Sequence, residues 1–379
     1  MSGQRILIAP DSFKGTLTAA QVADLIAEGL LAADPTLEIT RLPVADGGEG
    51  LAEALRACCG GTACSATVSG VFGAPMQADY LLLPDGTAVI ETAACAGLPL
   101  AGEKKNPALA TTRGVGELML DAARNGAKRI LLGLGGSATN DGGVGAASAL
   151  GWRFLNAAGD PVEPIGAHLA QIRKILPPAT PFPLPVEAAC DVENPFFGPQ
   201  GAAYVFAPQK GADPAMVAQL DAGLRQLAAV IAADCGTNVA ELPGAGAAGG
   251  FGGGAVAFFG ATLKKGIDLV LDAAGFDALA AQADWIITGE GRLDSQSADG
   301  KVISGVAKRG AAAGKPVLAL CGCKGDGWER ILGCGVTAAC FSTETPKPMA
   351  ELLRTCRSNL TAAAKRAAET LLQTPARNG

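Results

Sequence analysis

The sequence predicts an α/β protein of two domains: one a doubly wound, mostly parallel sheet, the other an inserted α/β domain with an antiparallel hairpin. Three observations predict this. The chain has 379 residues, and a single core stops growing near roughly 250–300. Strand, loop and helix recur in that order along it, the pattern of parallel strands joined by right-handed crossovers. Residues 67–91 instead alternate apolar and polar around a Pro84-Asp85-Gly86 turn, which reads as an antiparallel hairpin.

Ile6–Ala9 is a short apolar strand ending at Pro10, followed by the loop Asp11-Ser12-Phe13-Lys14-Gly15. Thr18-Ala19-Ala20-Gln21 has the form of a capping box, and Val22, Leu25, Ile26 and Leu30 continue at helical spacing. The same order returns at residues 38–57, at 129–150 and from 283 into a helix beginning near Lys301. Further strands fall at 316–320 and 336–341, and a closing helix runs from about Met349 to Leu372. Residues 177–185 hold five prolines and exclude regular structure. The first domain is therefore expected at 1–65 and 285–379 and the inserted one at 66–284, with the active site in the cleft between them. Loops that follow parallel strands share one edge, so the loops after residues 9, 44, 134 and 288 are expected to face one site.

Composition narrows the function. Hydrophobic residues make up 49% of the chain, which excludes disorder. Aromatics are only 4%, so the core is built from Ala, Val, Leu and Ile. The net charge is -6 and no Lys/Arg run occurs, which argues against a nucleic-acid partner. The longest nearly apolar stretch, Phe251–Leu263, is too short for a bilayer span of about 20 residues, so no membrane partner is expected. The N-terminal apolar run is broken by Asp11 and Lys14 and reads as a strand, not a secretory signal. A cytoplasmic protein with reduced thiols is expected. Cys321-x-Cys323 is spaced too closely for the usual C-x₂₋₄-C zinc pair. A homo-oligomer is left open.

Charges are scarce, so those inside glycine-rich loops stand out. Gly135-Gly136-Ser137-Ala138-Thr139-Asn140-Asp141-Gly142-Gly143 combines close backbone approach, the donors Ser137, Thr139 and Asn140, and the positive end of a following helix. It reads either as a phosphate cradle or as a glycine turn that caps a helix. Asp46-Gly47-Gly48-Glu49 and Glu290-Gly291-Arg292-Leu293-Asp294 put acids in tight loops after strands, suited to holding Mg²⁺ on phosphates or accepting a hydroxyl proton, and equally to forming turns. Arg292 offers a two-pronged donor face to carboxylate or phosphate. Asp191 reads as a strand-end acid, and Lys210 as a phosphate contact or a surface lysine. The sole histidine, His168, has no catalytic company in the sequence. Neither a Walker A loop nor a protein-kinase motif set is present.

These loops have a common resemblance. Ile8-Ala9-Pro10-Asp11-Ser12-Phe13-Lys14-Gly15, Pro43-Val44-Ala45-Asp46-Gly47-Gly48-Glu49-Gly50 and Ala110-Thr111-Thr112-Arg113-Gly114-Val115-Gly116-Glu117-Leu118 come first. The Gly135–Gly143 loop, Asp191-Val192-Glu193-Asn194-Pro195, Ala207-Pro208-Gln209-Lys210-Gly211, the run from Pro243 to Gly250 and Ile287–Asp294 follow in order. Together they resemble the bacterial type of glycerate kinase, the glycerate 2-kinase family that phosphorylates D-glycerate with ATP. Trp285, where an aliphatic residue is expected, and the Cys321–Cys323 stretch depart from the pattern.

The resemblance implies a two-domain fold with one domain interrupted by the other, ATP and Mg²⁺ as cofactors, and 2-phosphoglycerate as product. Within that reading, Asp11, Ser12, Asp46, Gly47, Gly48 and Glu49 are expected to hold the substrate. The nucleotide falls to Gly135, Gly136, Ser137, Thr139, Asn140 and Lys210, and the metal to Glu290 and Asp294, with Asp46 as the alternative ligand. Asp191 is the expected proton acceptor, while Lys14 and Arg292 neutralise charge or clamp the carboxylate. Glycines 244, 246, 249, 250 and 252–254 suit either a mobile hinge or tight helix packing. Rival readings are a kinase of another hydroxy acid or sugar, a non-catalytic sugar-acid sensor, and a dehydrogenase. The last would need a G-x-G-x-x-G turn after the first strand, which is absent.

Overall fold

The computed structural model describes residues 3–45, 50–298, 301–345 and 347–371. In chain order the strands of the two large sheets are β1 (Arg5–Ile8), β2 (Glu38–Arg41), β3 (Thr62–Ser69), β4 (Pro75–Leu82), β5 (Thr87–Glu91), β6 (Arg129–Gly133), β7 (Val186–Ala189), β8 (Thr262–Lys264), β9 (Trp285–Thr288), β10 (Val317–Cys321) and β11 (Ala338–Phe341). The helices that matter to the sites are α1 (Ala19–Ala33), α2 (Leu51–Cys59), α3 (Arg113–Arg124), α4 (Val144–Ala149), α5 (Ala247–Phe259), α6 (Val302–Ala312) and α7 (Met349–Leu371). The chain divides into two compact units, one of Met1–Asp46, Glu53–Cys59 and Ile267–Gly379, the other of Gly47–Ala52 and Gly60–Gly266.

The first unit is built on a five-stranded sheet in the order β11-β10-β9-β1-β2, every pair parallel. Its inner strands β1, β9 and β10 are buried on both faces, which is why they read as continuous apolar runs rather than alternating ones, while the edge strand β2 is largely exposed. The expected capping box starts α1: the Thr18 hydroxyl oxygen accepts from the Gln21 amide at 3.3 Å, and the Gln21 side chain accepts from the Thr18 amide at 3.1 Å. Val22, Ile26 and Leu30 of α1 pack in one core with Leu360 and Ala364 of α7 and with Trp285. Trp285 is simply a buried strand residue. From β1 the chain passes to β2 on one side; from β9 it passes to β10 and β11 on the other. The boundary between β1 and β9 is thus a topological switch point, where the loops diverge and leave a crevice.

The second unit carries a six-stranded sheet in the order β8-β7-β6-β5-β4-β3. β5 to β8 are parallel, while β3, β4 and β5 run antiparallel to one another in sequence. The single hairpin expected at 67–91 is therefore a three-stranded meander with two turns. The Pro84–Gly86 turn is the second. The first lies at Gly70–Ala74, where the Gly70 amide donates to the Ala74 carbonyl at 2.7 Å. Val71 and Phe72 inside that turn continue the apolar pattern and conceal it in the sequence. The helix Pro214–Cys235 is long and apolar enough to cross a membrane; half of it is buried, with Leu220, Leu224, Leu227 and Ile231 in this unit's core. Residues 177–185 form no helix or strand.

The units part at other positions than residues 65 and 285. Residues 60–65 belong with the second unit because β3 pairs along its whole length with β4. Residues 267–284 belong with the first: Ile267 packs on Gly305 of α6, and Arg309 of α6 binds Asp268, Asp272 and Asp277.

Candidate active site

Each unit holds a cavity at the carboxyl ends of its parallel strands. In the first unit the loops after β1, β9, β10 and β11 enclose about 350 Å³. Four cations line it, Lys14, Arg292, Lys301 and Lys347, with the carboxylates of Asp11 and Glu290 and the hydroxyls of Ser12 and Thr343. The β1 loop is held in place by its own hydrogen bonds: Thr16 donates to the Phe13 carbonyl at 2.8 Å, and Gly15 takes a left-handed φ of 78° that a Cβ would strain. The Asp11 amide donates to the Gly289 carbonyl at 2.8 Å, which ties this loop to the one after β9. Glu290 is nearly buried and accepts a hydrogen bond from Ser297. Burial pushes its carboxyl up to about 7, the Ser297 hydroxyl and Lys301 pull against that, and Asp11 and Asp294 add to it.

In the second unit the loops after β5, β6 and β7 enclose about 720 Å³. Gly135, Gly136 and Ser137 form one wall, Leu98, Val192 and Phe206 give an apolar surface, and Asp191 and Lys210 supply charge. Lys210 is only 3% exposed. Its ammonium donates to the Ser137 hydroxyl at 3.0 Å and to the Thr139 carbonyl at 2.7 Å. Burial pushes it down to about 7, opposed by the charge of Asp141. Asp191 accepts from the Gly266 amide at 2.8 Å and stands just past the end of β7, as a strand-end acid should.

The glycine loop differs from expectation. The end of α4 is already occupied by Asp141, which is fully buried. Its carboxylate accepts from the amides of Gly143 at 3.0 Å and Gly145 at 3.3 Å, and from the Thr112 amide and hydroxyl at 2.8 Å each. The positive helix end is satisfied from within and is not open to a phosphate. Thr139 and Asn140 do not line the cavity. Thr139 is buried and donates to the Ala248 carbonyl at 3.3 Å, and both amide atoms of Asn140 are buried without a hydrogen-bond partner among the described residues. Of the expected nucleotide residues, Gly135, Gly136, Ser137 and Lys210 share the larger cavity.

The remaining site residues separate by unit. Asp11, Ser12, Lys14, Glu290 and Arg292 share the smaller cavity, while Asp191 lines the larger one. Of the four loops expected to face one site, those after residues 9 and 288 stand on one sheet and the loop after 134 on the other, while the loop after 44 lies mostly outside the described residues. Asp46, Gly47, Gly48 and Glu49 lie outside the described residues. Asp294 does not line the cavity; it accepts from the Gln296 amide at 3.0 Å and lies 4.0 Å from Arg292. Among the described residues no group of three His, Cys, Asp or Glu side chains converges as a metal site. The glycines of α5 serve packing. A Cβ on Gly254 would meet the Gly142 carbonyl oxygen at 2.1 Å and one on Gly249 the Thr139 oxygen at 2.0 Å, so α5 is pressed against the back of the glycine loop.

The sequence reading missed Lys301, Lys347 and Thr343 in the smaller cavity, and Asp141 and Thr112 beneath the larger one. Thr343 and Lys347 follow the strand β11, so the rule that loops after parallel strands share an edge points to them.

The sequence model of the Glycerate kinase family matches residues 6–372. A glycerate kinase of Halalkalibacterium halodurans is 43% identical over 88% of this chain and 89% of its own. Glycerate 2-kinase of Escherichia coli is 40% identical over 97% and 98%. A crystal structure from Salmonella typhimurium LT2, described as a glycerate kinase 2, superposes with a TM-score of 0.87 at 38% identity, covering 98% of this chain and 99% of that one. Both cavities fall inside the matched span, and the chain is an enzyme that belongs to the glycerate kinase family.

Proposed function

We propose that this enzyme transfers the γ-phosphoryl group of ATP in line to the 2-hydroxyl of D-glycerate, giving 2-phosphoglycerate and ADP. The observation that carries this reading is the match along nearly the whole chain, both cavity-forming sets of loops included, to relatives named glycerate kinase and, in Escherichia coli, glycerate 2-kinase. The chemistry of the two cavities supports it. Phosphoryl transfer asks for positioning and charge neutralisation more than for covalent help. The cation-lined cavity suits a small hydroxy acid whose carboxylate needs a counter-charge, with Arg292 as clamp and Lys14 beside it. The larger cavity has the volume and apolar wall for a nucleoside, and Lys210 and the Gly135–Ser137 backbone for its phosphates.

Mg²⁺, when bound, neutralises the phosphate chain. It needs only one or two protein carboxylates, the rest of its ligands being phosphate and water oxygens. Glu290 and Asp11 fit this requirement: they face one cavity, and Asp11 raises the proton affinity of Glu290, a repulsion that a cation relieves. Asp294, already engaged with the Gln296 amide, fits less well. Asp191 is the proposed acceptor of the hydroxyl proton. Asp191→Asn then lowers kcat at least a hundredfold with little change in stability, since general base catalysis contributes about 10²–10⁴. Normal turnover in that variant would remove Asp191 from the role. The reading as a whole is tested by a coupled assay of ADP release with Mg·ATP and D-glycerate, the product being identified by NMR. Turnover to 2-phosphoglycerate is expected. Turnover to 3-phosphoglycerate would move the reacting hydroxyl, and none with D-glycerate would point to another acceptor.

A further inference from the structure

Lys210 combines three features that its assignment as a phosphate contact does not use. It lines the larger cavity although nearly all of its surface is buried. Of the three donors on its ammonium, two are committed to the glycine loop, at Ser137 and at the Thr139 carbonyl. The counter-charge it feels is Asp141, buried behind the same loop, whose proton affinity burial raises against the four hydrogen bonds it accepts from Thr112, Gly143 and Gly145. The cation is therefore held beneath the loop, with one donor left for a ligand and its charge only partly compensated.

We propose that Lys210 takes up a proton when a phosphate chain enters the larger cavity, so that nucleotide affinity is linked to pH through Lys210 and the loop it braces. The inference rests on the nucleotide reading of that cavity and deepens it. The direction follows from burial. In the free protein desolvation lowers the lysine to about 7, so near neutral pH a substantial fraction is uncharged. An anion within hydrogen-bond reach favours the charged form, and binding draws a proton from solution. The other charged groups on the cavity wall are Lys105, which opposes protonation, and Asp191, which favours it. Neutral Lys210 still donates to Ser137 and Thr139. The loop thus keeps its shape while the charge at its base changes, so a buried lysine serves where a surface lysine would remain charged throughout.

The test uses the full chain and ADP without metal, with affinity and heat measured by titration calorimetry at pH 6–8.5 in two buffers of different ionisation enthalpy. Lys210→Arg keeps the charge but does not titrate, so it carries only the proton exchange that belongs to ADP itself. Expected for the unmodified protein is proton uptake at pH 7.5 in excess of that variant, with affinity weakening by up to about tenfold per pH unit above 7. Lys210→Met binds at least tenfold more weakly at pH 6.5 and loses the excess pH dependence. Should the arginine not fit the buried site, the methionine variant supplies the non-titrating baseline. ADP binding in the unmodified protein with no excess uptake over either variant would overturn the proton linkage and leave the nucleotide site standing. Absence of ADP binding to the unmodified protein would overturn both.

Discussion

The two cavities sit at the carboxyl ends of parallel strands in two different sheets and solve charge recognition in opposite ways. In the smaller one the cations reach solvent: the side chains of Arg292 and Lys347 are 57% and 41% exposed. In the larger one Lys210 is buried, and its counter-charge Asp141 is buried more deeply still. Exposed cations cost the fold little. They attract an anion without fixing it tightly, and salt screens them. Buried charges are expensive and unforgiving, but through their hydrogen bonds Lys210 and Asp141 hold the glycine loop in one geometry. The cations of the smaller cavity therefore add little to the stability of the fold, whereas the buried charges of the larger one are part of it.

The strongest way to break this contrast is to remove the deepest charge. Asp141→Ala leaves four buried donors without their acceptor and removes the negative charge that Lys210 feels, and a destabilisation of about 3–5 kcal/mol is expected in urea unfolding. A loss below 1 kcal/mol would mean that the larger cavity is no more demanding than the smaller. Next comes Gly254→Ala, which drives a methyl against the Gly142 carbonyl from behind the loop. Overpacking of this kind costs about 1–3 kcal/mol, and ADP affinity falls with it because the loop is displaced. Smallest is Thr18→Ala in the first unit, which removes a cap bond at the exposed start of α1. It is expected to lower stability by about 1 kcal/mol and to leave both ligand affinities unchanged, a control for effects that act on the fold alone.

Much of this was legible in the residues. The order of strand, loop and helix placed Asp11, Lys14, Glu290 and Arg292 after strands, and the parallel sheet then gathers them. The capping box at Thr18 is local chemistry, complete within four residues. What escaped depends on pairing across the chain. The glycine loop displays donors and a helix start, but nothing in residues 135–143 tells that Thr112 and Asp141 have already filled that helix end. The same holds for α5, whose glycines are equally compatible with a hinge until their neighbours are known. The extra turn at Gly70–Ala74 was hidden by Val71 and Phe72, which a strand would also accept.

The central claim is that the two cavities bind different ligands of one phosphoryl transfer, and steady-state kinetics of Arg292→Ala test it most directly. The account predicts that KM for D-glycerate rises more than tenfold, a loss of at least about 1.4 kcal/mol of binding, while KM for ATP changes less than twofold. An ATP KM that rises as much as that for glycerate, or a glycerate KM that does not move, would contradict it.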